Sequence, residues 1–219
     1  MADRADSLFT GKVPLGFDPE EAVRALRAAD PALARLIERV GPLRLGLQAL
    51  HGPYEALAEA IVHQQLTARA AGTILGRLRD LSGGGFPAPE ALLAAPSASL
   101  RAAGLSAPKA AALRDLAART LDGTVPALDA LLRMDDEEIV RRLDPIRGVG
   151  RWTVEMFLIF RLGRPDVLPL DDYGLRKGFA RTFRVRGLPD RDRVARRGER
   201  WRPFRTAASW YLWRALEQP

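Results

Sequence analysis

The chain has 219 residues, 47% of them hydrophobic, with 34 Lys+Arg against 27 Asp+Glu, two histidines and no cysteine. That length suits one large domain or two small ones with a real core. The lack of cysteine excludes disulfides, thiol nucleophiles, thiolate zinc sites and iron–sulfur clusters, and His51 and His63 alone cannot build a multi-histidine metal site. No run of about 18 apolar residues is free of charge, so no membrane span is expected. Met1 to Asp6 carries acids and no apolar stretch, so it does not read as a signal peptide, and a cytoplasmic location follows as the default.

Apolar residues recur at spacings of three and four almost throughout, which predicts an all-α protein. Asp18-Pro19-Glu20-Glu21 places a capping acid before a proline at the first helical position. Asp30-Pro31 repeats the device, with Gly41 as the stop. The stretch from Gly41 to Gly52 is the least helical and reads as loop or extended chain. Pro53 opens a helix running to about Gln65, and Thr67 caps the next, through Leu81, which Gly83-Gly84-Gly85 breaks. Short helices are expected near 88–95 and 97–103, a longer one from Pro108 to Gly123, then others near 126–133 and, after Asp135-Asp136, through Leu143. The last third adds helices near 151–162, 171–181, 190–200 and 203–216. Pro165 to Pro169 is the best hinge candidate.

Residues 171–219 hold thirteen Lys+Arg and six Asp+Glu, the entire net charge of +7; the rest of the chain balances. Such a segment suits a polyanionic partner. The rival explanation is an arginine-rich composition, since only Lys12, Lys109 and Lys177 are lysine.

The most specific stretch is Leu143-Asp144-Pro145-Ile146-Arg147-Gly148-Val149-Gly150-Arg151-Trp152-Thr153. One helix ends, a glycine turn follows, and a second helix begins with its unpaired N–H groups and positive dipole end exposed. That geometry binds phosphate through the main chain without reading sequence. The turn carbonyls of Asp144, Ile146 and Gly148 could hold a monovalent cation. A bare Gly-x-Gly is far better explained as an ordinary helix corner; the flanking apolar residue and the Arg-Trp-Thr ending sharpen the match. Twenty residues on, Leu168-Pro169-Leu170-Asp171-Asp172-Tyr173 precedes a helix, and an isolated acid pair there would most simply be a cap.

Together these stretches resemble the helix–hairpin–helix (HhH-GPD) DNA glycosylase superfamily, in its 3-methyladenine DNA glycosylase II (AlkA-type) branch. The resemblance covers roughly residues 30–215. It implies two all-helical subdomains with a DNA-binding cleft between them, one from 1–52 plus 167–219, the other from 53–166 with the helix–hairpin–helix at about 135–162. The chain looks too short for the extra N-terminal α/β domain of larger members. The resemblance makes Asp172 the catalytic carboxylate and Asp171 a cap or supporting carboxylate. It places Trp152, Met156, Tyr173 and Trp213 around a base pocket, with Trp201 and Trp210 read as core. It assigns phosphate binding to Arg147, Gly148, Val149, Gly150, Arg151 and Thr153. Ile61-Val62-His63-Gln64-Gln65-Leu66-Thr67 resembles the segment that wedges into DNA, with Gln65 first, Leu66 next and Gln64 supporting. Lys109 faces phosphate or solvent.

The implied reaction is hydrolysis of an N-glycosidic bond after the base leaves the stack. One carboxylate suffices for a positively charged base such as 3-methyladenine or 7-methylguanine, because the leaving group is already activated and only the oxocarbenium-like sugar needs stabilising. Strand-cutting relatives carry lysine two residues after the second glycine; this chain has Trp152, so a monofunctional enzyme leaving an abasic site is implied. No cofactor is required beyond a structural Na+ or K+ at the hairpin, and the partner is double-stranded DNA with alkylated bases, bound by a monomer. One departure is Arg147, where the family usually has proline. Two alternatives stay open: a non-catalytic hairpin DNA-binding protein, and a glycosylase for uracil, hypoxanthine or an oxidised purine.

Overall fold

The computed structural model describes residues 13–217, which form thirteen α-helices and no strand. The reading of Met1 to Asp6 lies outside the described residues. The described chain divides into two compact units, one of residues 49–157 and one of residues 13–48 with 158–217. Among the described residues, no helix is long and apolar enough to cross a membrane.

The first unit holds α3 (Pro53–His63), α4 (Ala68–Asp80), α5 (Pro89–Ala94), α6 (Ser97–Ala102), α7 (Ala107–Leu121), α8 (Leu128–Arg133), α9 (Asp136–Leu143) and most of α10 (Arg151–Phe160). Side chains cap most of the longer helices. Thr67 accepts from Ala70 N–H, Ser106 from Lys109 N–H and Asp135 from Glu138 N–H, each satisfying a donor that the first turn leaves open. Helix α7 packs against α3 and α5. Leu57, Ile61, Leu78, Leu92, Leu113, Leu116, Ile139 and Leu143 are fully buried in this unit.

The second unit holds α1 (Pro19–Ala29), α2 (Pro31–Val40), the end of α10, α11 (Tyr173–Thr182), α12 (Arg191–Gly198), a 3-10 turn (Glu199–Trp201) and α13 (Arg205–Arg214). Helix α13 is buried from Thr206 to Leu212, as a helix surrounded by partners must be. It meets α11 at Gly178, where a Cβ would overlap the Leu212 carbonyl oxygen, so only glycine fits. Asp30, fully buried, ties the unit together. Its carboxylate caps α2 through Ala32 and Leu33 N–H, and accepts from Arg197 Nε at 2.8 Å, Arg197 Nη2 at 2.9 Å and Trp201 Nε1 at 3.3 Å. Burial opposes its charge, but the Arg197 guanidinium outweighs that and holds the carboxyl below the usual aspartate value. Trp201 is 1% exposed and Trp210 is 9% exposed.

Two features differ from the sequence reading. Residues 158–166 lie with the second unit rather than the central block. The cause is specific contact: Phe160 stacks on Trp213, Gln48 N–H donates to the Phe160 carbonyl, and Gly16 N–H donates to the Gly163 carbonyl. Pro165 to Pro169 is not a hinge but a pinned loop inside that unit. Asp166 takes Arg202 and Arg205, Thr206 Oγ1 accepts from Val167 N–H and donates to the Arg164 carbonyl, and Ser209 Oγ donates to the Val167 carbonyl.

Candidate active site and hairpin

Helix α9 ends at Leu143 because Pro145 follows and the chain turns. Val149 N–H donates to the Ile146 carbonyl at 2.9 Å across Arg147 and Gly148, and Gly148 has φ +79°. This is a type II turn, whose third residue needs a positive φ. Gly148 is required twice, since a Cβ there would also lie 3.0 Å from the Ala112 Cβ. Ile146 and Val149 are buried, so their side chains fix the turn, while Arg147 and Gly148 between them are exposed. The first intrahelical donor of α10 is Thr153 N–H, on the Gly150 carbonyl at 2.8 Å; the amides of Gly150 and Arg151 precede it at the positive end of the helix.

The other hairpin side chains are more committed than the sequence implied. Arg151 forks onto Glu137 at 2.6 and 3.0 Å and lies 3.6 Å from Glu155. Thr153 is 5% exposed, and its hydroxyl meets Gln64 Nε2 at 3.4 Å, so that side chain faces inward and only its neighbours' amides remain at the surface. Of the three carbonyls expected to hold a cation, those of Ile146 and Gly148 already accept from Val149 N–H and Gln64 Nε2. Each carbonyl has a second lone pair, so the donor set fits a monovalent ion but not a site reserved for one.

Gln64 closes α3, and its Nε2 donates to the Gly148 carbonyl at 2.8 Å. Gln65 follows, exposed, with φ +59°. A left-handed non-glycine residue costs about 1–2 kcal/mol, and Leu66 N–H on the His63 carbonyl at 3.1 Å closes the turn around it. Leu66 is 38% exposed. Lys109 is half-buried rather than projecting freely into solvent. Its Nζ donates to the carbonyls of Val62 at 2.6 Å and Gln64 at 2.7 Å, closing the C-terminus of α3, and burial lowers its ammonium below the usual lysine value. A cation at a helix C-terminus satisfies open carbonyls and complements the dipole.

In the second unit Asp172, not Asp171, caps α11. Its Oδ1 accepts from Leu175 N–H at 2.6 Å and from Trp213 Nε1 at 2.8 Å. Asp171 instead pairs with Arg191 at 2.5 Å. The reversal follows from register: Asp172 is the last extended residue before the helix, so only its side chain can reach back to the third helical amide. Trp213 is half-buried, with its indole stacked on Phe160 at 5.8 Å and 24°. Gly174 makes room, since a Cβ there would lie 3.2 Å from Asp172 Oδ1 and 3.4 Å from the Trp213 ring. Tyr173 is 62% exposed, with Lys177 Nζ 5.2 Å over its ring. Trp152, 43% exposed, and half-buried Met156 belong to the part of α10 in the first unit.

The structure thus brings together Asp172 with Trp213, and Gln64 with Gly148 and Thr153. Sequence reasoning missed Phe160, Gly174 and Asp115, an α7 residue that bonds the hairpin. A glycine in the first turn of a helix, where stronger helix formers are available, was the legible signal for Gly174. Asp115 gave none, being 32 residues from its partner.

A family profile described as HhH-GPD superfamily base excision DNA repair protein matches residues 58–203. DNA-3-methyladenine glycosylase 1 of Schizosaccharomyces pombe is 39% identical over 206 residues, covering 90% of this chain and 90% of its own. DNA-3-methyladenine glycosylase 2 of Escherichia coli is 33% identical, over 88% of this chain and 64% of its own. The solved structure of a Schizosaccharomyces pombe 3-methyladenine DNA glycosylase in complex with abasic DNA superposes with a TM-score of 0.79 at 38% identity, covering 90% of this chain and 97% of that one.

Proposed function

This chain belongs to the HhH-GPD superfamily of base excision DNA repair proteins, and from that membership we propose that it is a monofunctional glycosylase that removes alkylated bases of the 3-methyladenine and 7-methylguanine type from double-stranded DNA. The observation that carries the reading is the carboxylate of Asp172, fixed by two N–H donors at the start of α11. Departure of a cationic base leaves oxocarbenium character on the sugar. A carboxylate already oriented stabilises that charge without reorganising, and it can align or deprotonate the attacking water.

Tyr173 and Trp213, beside Asp172 in the second unit, offer aromatic faces to a flipped base. Electron-rich rings favour a positively charged base. The amides of Gly148, Gly150 and Arg151 take a phosphate, and Gln65, with Leu66, fills the gap left by the flipped nucleotide. Trp152 stands where a Schiff-base lysine would be needed for strand cleavage. The reaction requires no cofactor; a Na+ or K+ at the hairpin would serve structure. The enzyme works as a cytoplasmic monomer. The test is product analysis on methylated duplex DNA: free 3-methyladenine or 7-methylguanine with the strand intact until alkali is added supports the reading, and spontaneous strand cleavage or no free base contradicts it.

A further inference from the structure

Helix α7 presents Lys109, Ala112 and Asp115 three residues apart on one face. Lys109 holds the end of α3, and Ala112 sits under Gly148. Asp115 reaches the hairpin itself: its Oδ2 accepts from Arg147 N–H at 2.8 Å, and Arg119 Nε lies 3.6 Å from the same oxygen. Arg147 occupies the second position of the type II turn, where proline is favoured because it sets φ. The turn's own hydrogen bond, from Val149 N–H to the Ile146 carbonyl, leaves the second-position amide unused.

We propose that Asp115 is a positioning residue for the phosphate-binding hairpin, holding the turn through the Arg147 amide as a proline ring at 147 would hold it by covalent constraint. On charge alone, a carboxylate beside an anion-binding turn opposes DNA. Here that charge is spent on a main-chain donor and faces Arg119. The gain is a rigid turn whose neighbouring amides stay aimed at one point. The inference rests on the reading of the hairpin as a DNA anchor.

The experiment separates pinning from charge. Asp115→Ala is made in two backgrounds, Arg147→Ala, which keeps the amide, and Arg147→Pro, which deletes it. Affinity is measured by fluorescence anisotropy with a duplex carrying a tetrahydrofuran abasic analogue. The loss of one charge-assisted bond predicts about tenfold weaker binding in the alanine background and no loss, or a gain from the removed charge, in the proline background. In the otherwise wild-type protein, Asp115→Ala speeds hydrogen exchange of the Arg147 amide, and Asp115→Asn, which keeps an acceptor oxygen, restores most of the protection and affinity. The exchange arm stands even where the proline variant does not fold. Equal effects in both backgrounds, or Arg147 exchange indifferent to Asp115→Ala, overturn the inference. If exchange responds but neither Asp115→Ala nor Gly148→Ala alters DNA affinity, the hairpin is not the anchor, and the inference falls with that reading.

Discussion

Trp213 Nε1 donates to Asp172 Oδ1 at 2.8 Å, the same oxygen that caps α11 through Leu175 N–H. A tryptophan expected as a pocket wall therefore also orients the carboxylate, and Gly174 leaves the space in which the two meet. Trp213→Phe removes the donor and keeps a ring against Phe160. Base release in single turnover should slow about tenfold, the equivalent of about 1.4 kcal/mol, with the thermal midpoint nearly unchanged. An unaltered rate would show that the indole acts only as a wall.

Gly178→Ala should be far more damaging to stability than a surface glycine change. The new methyl overlaps the Leu212 carbonyl, which is helix backbone and cannot move aside alone. Overpacking of this kind costs about 1–3 kcal/mol or more, read as a lower denaturant midpoint. Gly72→Ala on α4, where a Cβ meets nothing within 4 Å, serves as the control and should not destabilise.

Stability should also depend on the Asp30–Arg197 pair in acid. Asp30 is held below its ordinary value in the folded protein, chiefly because Arg197 outweighs the cost of burial. The unfolded chain then binds its proton more readily than the folded one, so the contribution is complete above about pH 4, the unfolded carboxylate value, and fades as pH falls through the folded value. Arg197→Met leaves a buried charge without its main partner. It should destabilise by about 2 kcal/mol or more at neutral pH, with the gap from wild type narrowing as pH drops below 4. A gap independent of pH would locate the loss in packing on Phe183, 3.9 Å from the guanidinium carbon.

Lys109→Met tests the junction of α3 and α7. The change removes two charge-assisted bonds to the carbonyls that close α3, immediately before the strained Gln65. Loss of about 1–3 kcal/mol of stability is expected, together with weaker binding to abasic duplex DNA. If binding weakens with no loss of stability, Lys109 meets phosphate directly instead.

The helices were legible because their signals are local. Asp18-Pro19 and Asp30-Pro31 mark starts, and Thr67 caps as short-range chemistry dictates. The hairpin was legible because two glycines, an apolar residue before them and Arg-Trp-Thr after them form one continuous pattern. Contacts made across sequence were not legible. Nothing near Asp115 announces Arg147, nothing near Lys109 announces the end of α3, and the Asp171-Asp172 pair does not say which acid caps until the helix start is known to the residue. The boundary beyond α10 failed for the same reason, since it is set by Phe160 on Trp213 and by Gln48 on Phe160.

The central claim is that the carboxylate of Asp172 performs the chemistry. It is tested by base release from methylated duplex DNA, with free bases separated by chromatography, for wild type and Asp172→Asn. The amide keeps an oxygen for Leu175 and Trp213, so the fold and binding to abasic duplex should persist. The account predicts release of 3-methyladenine or 7-methylguanine by wild type and a fall of about a thousandfold in the variant, as expected for loss of a preorganised charge at the reacting centre. A variant that binds DNA and releases bases at the wild-type rate would contradict it.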